Sequence, residues 1–212
     1  MGRPSGLAPE QLRALARLKA GVGERDYYLA GGTAVAFHLG HRVSADLDLF
    51  SVAPDGELDA FLAIARSADH AVEVVAATDV ALQLRVDGVP VDVVRYPYPL
   101  LEPAKRGPVD FPVAGLLDLA VMKLAAIARR GIRRDFWDLH EIAQGGLALA
   151  DAGQAYLRRF GLAEPNLYHV WRSLTYFDDA DRDPVFPAGL SPEAWEGIKR
   201  WFRKMAAPLI EP

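Results

Sequence analysis

The chain has 212 residues, 51% of them hydrophobic and 25% charged, with a formal net charge of −4. Such a length and composition fit one folded core, or a core with one appendage, and no apolar run approaches the roughly 20 residues of a membrane-spanning helix. The absence of cysteine excludes disulfides, thiolate catalysis and Cys-ligated metal centres, and the slightly acidic balance lacks the basic excess of a dedicated nucleic-acid binder.

In chain order, residues 9–20 carry Leu12, Leu15, Ala16 and Leu18 at mostly helical spacing, closed by Gly21 and Gly23. Residues 27–30 read as a short strand entering a Gly31-Gly32 turn. A small apolar helix follows over 33–39 and stops at Gly40, and 45–50 reads as a strand bearing Asp46 and Asp48. Residues 55–68 form an amphipathic pattern with Leu58, Phe61, Leu62 and Ala65 inward. Three strands are expected over 70–77, 80–86 and 89–96, the last two joined by Asp87-Gly88, a strong hairpin signal. Pro97, Pro99, Pro103, Pro108 and Pro112 then end the sheet and begin an extended connector. Helices are expected over 113–130, 134–144, 151–160, 167–177 and 192–206, with Trp171, Trp195 and Trp201 as bundle core and the acidic stretch 178–184 as a surface loop. The expected fold class is α/β (α+β): a mixed sheet with flanking helices over residues 1–112, and a helical bundle over 113–212.

Chemistry concentrates in the first half. Two glycines at a strand-to-helix turn let backbone N–H groups approach a phosphate at a helix N-terminus, and Thr33 is placed to cap that helix or to bind the same phosphate. In Asp46-Leu47-Asp48 the period of two sends both carboxylates to one side of a strand and Leu47 and Leu49 to the other. Paired carboxylates suit a hard cation such as Mg²⁺ or Mn²⁺, which arrives bound to nucleotide phosphates. Asp92, alone among valines 89, 91, 93 and 94, is a third acid; beside the Asp46/Asp48 strand it completes a set able to hold one or two divalent ions for in-line displacement at phosphorus. The five histidines lack H-x-x-x-H spacing and no serine sits in a G-x-S-x-G elbow, which leaves zinc and serine hydrolysis without support.

Glycine pair, acidic pair and distant third acid resemble the nucleotidyltransferase superfamily that includes DNA polymerase β. The blocks Leu29–Thr33 (LAGGT) and His41–Phe50 (HRVSADLDLF), with Lys123 and the run Arg134-Asp135-Phe136-Trp137-Asp138-Leu139, are similar to the AbiEii/AbiGii toxin family of nucleotidyltransferases. The resemblance spans about residues 27–142. It implies catalytic roles for Asp46, Asp48, Asp92, Lys123 and Asp135, with the metal on the first three. Nucleotide contacts are implied for Gly31, Gly32, Thr33, Arg42, Ser44 and Lys123. Asp135 either complements the dipole of its helix or orients Lys123, and Asp138 is expected to pair with Arg134 one helical turn away.

The same resemblance implies transfer of an NMP from an NTP to a hydroxyl acceptor, RNA or tRNA among the candidates, by the toxin part of a toxin–antitoxin or abortive-infection pair with a cognate antitoxin. Two alternatives stay open: a non-catalytic nucleotide-binding or partner-binding module, and a small-molecule adenylyltransferase of the aminoglycoside-modifying kind. The first residues carry no apolar signal core, so a cytoplasmic location is the expectation.

Overall fold

The structure, a computed structural model, describes residues 6–22, 27–52, 57–67 and 71–211; Gly23, Asp55, Ala68 and His70, which the sequence pattern sets at element ends, lie outside them. The chain divides into two compact units, Met1–Gly115 and Leu116–Pro212. Among the described residues no helix is long and apolar enough to cross a membrane.

The first unit is built on a seven-stranded mixed sheet in the order β3-β4-β5-β2-β1-β7-β6. Its helices are α1 (Pro9–Val22), α2 (Gly31–Leu39) and α3 (Glu57–Ser67). Its strands are β1 (Tyr27–Leu29), β2 (Leu47–Ser51), β3 (Val72–Ala77), β4 (Ala81–Val86), β5 (Val89–Arg95), β6 (Lys105–Arg106) and β7 (Pro112–Val113). Period-two alternation decides which side chains go inward: Leu47, Leu49, Val91, Val93, Leu82 and Leu84 are all buried on one face. α1 packs on that face at β5 and α3 packs against α1, with Phe61 of α3 5.0 Å from the Tyr27 ring of β1 and Leu15, Leu18 and Phe61 essentially without solvent exposure. The Asp87-Gly88 hairpin forms as the dipeptide requires, with positive φ at both residues (51° and 83°).

The connector departs from expectation. Instead of leaving the sheet at the prolines, the chain returns to it: β7 pairs parallel to β1 with Leu29 opposite Val113, and β6 pairs antiparallel to β7. Each strand is two residues long, too short to show alternation, and Pro112 lies where the sheet has little further pairing to lose. For the same reason the first helix of the second unit begins at Leu116 and not at residue 113.

The second unit holds α4 (Leu116–Arg129), α5 (Arg133–Gln144), α6 (Leu149–Phe160), α7 (Pro165–Ser173), α8 (Asp178–Arg182) and α9 (Pro192–Ile210). Phe136 centres its aromatic core, with ring centroids 5.1 Å from Phe177, 5.4 Å from Phe202 and 5.8 Å from Trp195. Trp171 and Trp195 are buried and Trp201 half-buried. The stretch expected as a surface loop instead makes the short helix α8: Trp195 Nε1 and Lys199 Nζ donate to the Asp181 carboxylate at 2.7 and 3.0 Å. Arg133 is buried as well, donating to the backbone carbonyls of Asp181, Asp183 and Val185, so it is a strut of this unit.

Candidate active site

Strand β2 runs parallel to β5 in a register that sets Asp48 directly opposite Asp92, between the buried pairs Leu47–Val91 and Leu49–Val93. In-register residues of neighbouring strands point the same way, so both carboxylates occupy the sheet face turned away from the leucine and valine core. On the other side of β2 the Ala30 N–H donates to the Asp48 carbonyl at 2.9 Å, which brings the start of α2 against the acids. The first helical bond of α2 runs from Ala34 N–H to Ala30 carbonyl, and no side chain caps the helix. Its leading N–H groups, at Gly31, Gly32 and Thr33, are the orphan donors on which an anion can sit.

Gly31 is required twice over. Its φ is +59°, and a Cβ built there would lie 2.0 Å from Asp48 Oδ2. Gly31→Ala is therefore expected to cost about 1–3 kcal/mol of stability for a side chain in the left-handed region, and to lower nucleotide transfer on the order of 100-fold because the Asp48 carboxylate must move by about an ångström. Thermal unfolding and a transfer assay read the two effects separately.

Asp46 does not share the ladder. It stands in the bend before β2, whose pairing begins at Leu47, and its own peptide is held by side chains. The Asp46 carbonyl accepts Thr33 Oγ1 at 2.5 Å and Gln11 Nε2 at 3.1 Å, while Ser44 Oγ donates to Asp46 Oδ1 at 3.0 Å. Thr33 and Ser44 are buried, with their hydroxyls 2.8 Å apart. The Thr33 hydroxyl is thus engaged with the acidic bend and is not a helix cap. Arg42 is half-buried on the same segment. Gln11 and Gln83 carried no sequence signal. Gln83 stands opposite Asp92 on β4, a juxtaposition that only strand register reveals.

The site disfavours its own charge. Burial pushes the Asp92 carboxyl above the ordinary carboxylate range, the nearby Asp46 charge adds to the rise, and the Gln83 side chain opposite it works against the rise. Among the described residues no three His, Asp or Glu side chains are gathered as a metal-ligand group. The fit to a divalent ion rests on Asp48 and Asp92 in one row and on Asp46 within electrostatic reach of Asp92. An acid whose folded pKa is raised binds more protons in the folded state, so stability falls as pH climbs from the unfolded value through the folded one. Without divalent ions, the protein is expected to lose stability across that window. Asp92→Asn should raise the unfolding temperature above it and blunt any stabilisation by Mg²⁺ or Mn²⁺; melting curves at several pH values, with and without metal, test both.

Lys123 and Asp135 lie in the helical unit. The Lys123 ammonium, 7% exposed, sits 2.9 Å from Asp135 Oδ1 and 2.7 Å from Asp138 Oδ2. Burial alone would lower its pKa, but the Asp138 and Asp135 carboxylates outweigh burial and hold it above the ordinary lysine value. Asp138, expected to pair with exposed Arg134, instead turns its fully buried carboxylate to Lys123. A salt bridge between Arg159 and Asp118, 2.7 Å with both side chains wholly buried, ties α6 to α4 and was not foreseen from the sequence.

A family model described as nucleotidyl transferase AbiEii toxin, of type IV toxin–antitoxin systems, matches residues 13–210. The chain belongs to the AbiEii family. As an AbiEii-family protein it is a nucleotidyltransferase of toxin type. An uncharacterized protein of Aquifex aeolicus is 32% identical over 209 residues, 97% of this chain and 98% of that protein. The fold is similar to that of the nucleotidyltransferase toxin MenT4 of Mycobacterium tuberculosis, with a TM-score of 0.67 at 19% identity over 93% of this AbiEii chain and 81% of the other. A protein of H. pylori described as a candidate nucleotidyltransferase gives a TM-score of 0.52 at 15% identity, over 95% and 93% of the two chains.

Proposed function

We propose that the protein moves a nucleoside monophosphate from an NTP to a hydroxyl of an RNA acceptor, tRNA included, in a reaction that depends on Mg²⁺ or Mn²⁺. The observation that carries the reading is the opposition of Asp48 and Asp92 on adjacent parallel strands, with the glycine turn closed against Asp48. Asp46, Asp48 and Asp92 would hold the metal, which when bound neutralises phosphate charge and favours ionisation of the attacking hydroxyl. The N–H groups of Gly31, Gly32 and Thr33 supply the anion-binding end of α2, and Arg42 adds a cation. Thr33 and Ser44 act on the nucleotide through the acidic bend they hold. Asp92, in the row with Asp48, would stand beside the metal-bound acceptor hydroxyl, where a carboxylate can orient it or receive its proton. For Lys123, held by Asp135 and Asp138, and for Asp135 itself, the family resemblance implies roles in the same reaction. Membership of a type IV toxin–antitoxin family supports a toxin role with a cognate antitoxin.

The test is incubation of the protein with each α-labelled NTP, Mg²⁺ or Mn²⁺, and total cell RNA, followed by size separation. Label is expected in an RNA band with the natural protein and not with Asp46→Ala. Label in a small molecule would move the reading to an adenylyltransferase of the antibiotic-modifying kind. Nucleotide binding without label transfer in RNA or lysate would reduce the protein to a binding module.

A further inference from the structure

Gln11 is a polar residue, 2% exposed, on a helix whose other inward positions are apolar. A buried amide is stable only where both its ends are matched, and here they are. The Ala8 N–H donates to Gln11 Oε1 at 2.8 Å, and Gln11 Nε2 donates across 35 positions of sequence to the Asp46 carbonyl at 3.1 Å. A second bond joins the same two segments, Ser44 N–H to the Gly6 carbonyl at 3.2 Å. The segment 6–11 thus straps the 44–46 bend. Asp46 precedes the first ladder residue of β2, so the direction of its peptide is left to these side-chain bonds, with Thr33 on the same carbonyl.

We propose that Gln11 is a positioning residue of the acid site: from α1 it fixes the Asp46 peptide, and thereby the direction in which the Asp46 carboxylate meets a metal ion. Ser44 engages Oδ1; with the peptide pinned by Gln11 and Thr33, the second carboxylate oxygen is the one presented. Gln11 lies ahead of the segment matched by the family model, which begins at residue 13. The inference rests on reading Asp46 as a metal-holding acid.

Three variants test it. Gln11→Met keeps the length of the side chain and loses both bonds. Gln11→Glu keeps the acceptor for Ala8 N–H and loses the donor to Asp46. Leu18→Ala loosens the packing of α1, where Leu18 is 2% exposed, without touching Asp46. Two readings are taken: the Mn²⁺ concentration at the midpoint of the rise in unfolding temperature, without nucleotide, and kcat and KM for the NTP in the label-transfer assay. Both Gln11 variants should need at least about tenfold more Mn²⁺ and show a similar fall in kcat, the scale of losing a partner behind a metal ligand, with KM within about twofold. Leu18→Ala should unfold at lower temperature with its Mn²⁺ midpoint in place. The proposal is overturned if a folded Gln11 variant keeps the natural midpoint and kcat, or if Leu18→Ala shifts them as far. A natural protein whose unfolding ignores Mn²⁺ overturns the acid-site reading itself, and this inference with it.

Discussion

Asp48→Asn is expected to lower the rate of nucleotide transfer by about 10³-fold, on the order of 4 kcal/mol of transition-state stabilisation, with little change in the unfolding temperature. The substitution keeps the size of the side chain beside Gly31 and leaves the Ala30 N–H bond to the residue-48 carbonyl in place, so β2 and the start of α2 should stay together. What is lost is a negative charge in the row shared with Asp92, the charge that the proposed reaction assigns to holding a divalent ion. Because the glycine turn is untouched, nucleotide affinity contributed by the α2 N-terminus should survive, and the loss should appear in kcat more than in KM. Label transfer and thermal unfolding, measured on the same preparation, decide the matter: a variant that turns over at the natural rate places the chemistry elsewhere.

Lys123→Met should be the most damaging substitution for stability, about 3–5 kcal/mol, because it leaves Asp135 and Asp138 buried without their ammonium partner. Arg130 still reaches Asp135 Oδ2 at 3.2 Å, but Asp138 loses the cation at 2.7 Å from its fully buried carboxylate. The Lys123 pKa is raised in the folded protein, so the stabilisation is fully present below the unfolded lysine value and disappears only as pH rises through the folded one. The effect should therefore be constant across neutral pH. The double variant Lys123→Met/Asp138→Asn removes one stranded charge and should regain much of the loss. If its stability returns while transfer stays at least tenfold down, Lys123 serves the reaction as well as the fold. If activity returns with stability, its role ends at joining α4 to α5. Chemical denaturation and the transfer assay on both variants separate the two.

The parts of the site legible in the sequence are those written at short range. Gly31-Gly32 announces a turn because few other residues take positive φ, and alternation turns Asp48 away from Leu47 and Leu49, whereas Asp46, expected in the same strand, stands in the bend before it and is held by side-chain bonds that spacing does not show. Asp92 was legible as an acid out of place among valines. That it lies opposite Asp48, and not one residue off, is a matter of register between strands more than 40 positions apart, and local pattern carries no such information. The same gap explains the misreadings. Helical spacing points Asp138 to Arg134 on its own helix, whereas its partner Lys123 comes from α4. The return of the proline-rich connector to the sheet is invisible to local pattern because two-residue strands have no period to detect.

By itself the amino-acid sequence determined the chemical vocabulary of this protein: carboxylates without thiolates, a glycine turn at the start of a helix, an α/β half followed by helices. Each of these follows from residue type and spacing within a dozen positions. Tertiary structure alone decided how those groups are held: Gln11 and Thr33 meeting on the Asp46 carbonyl, Gln83 facing Asp92, and Lys123 locked between two acids. The reason is physical. A buried polar group must find a partner wherever the packed chain brings one, and that partner is chosen by the register of strands and the crossing of helices, not by neighbours in the sequence.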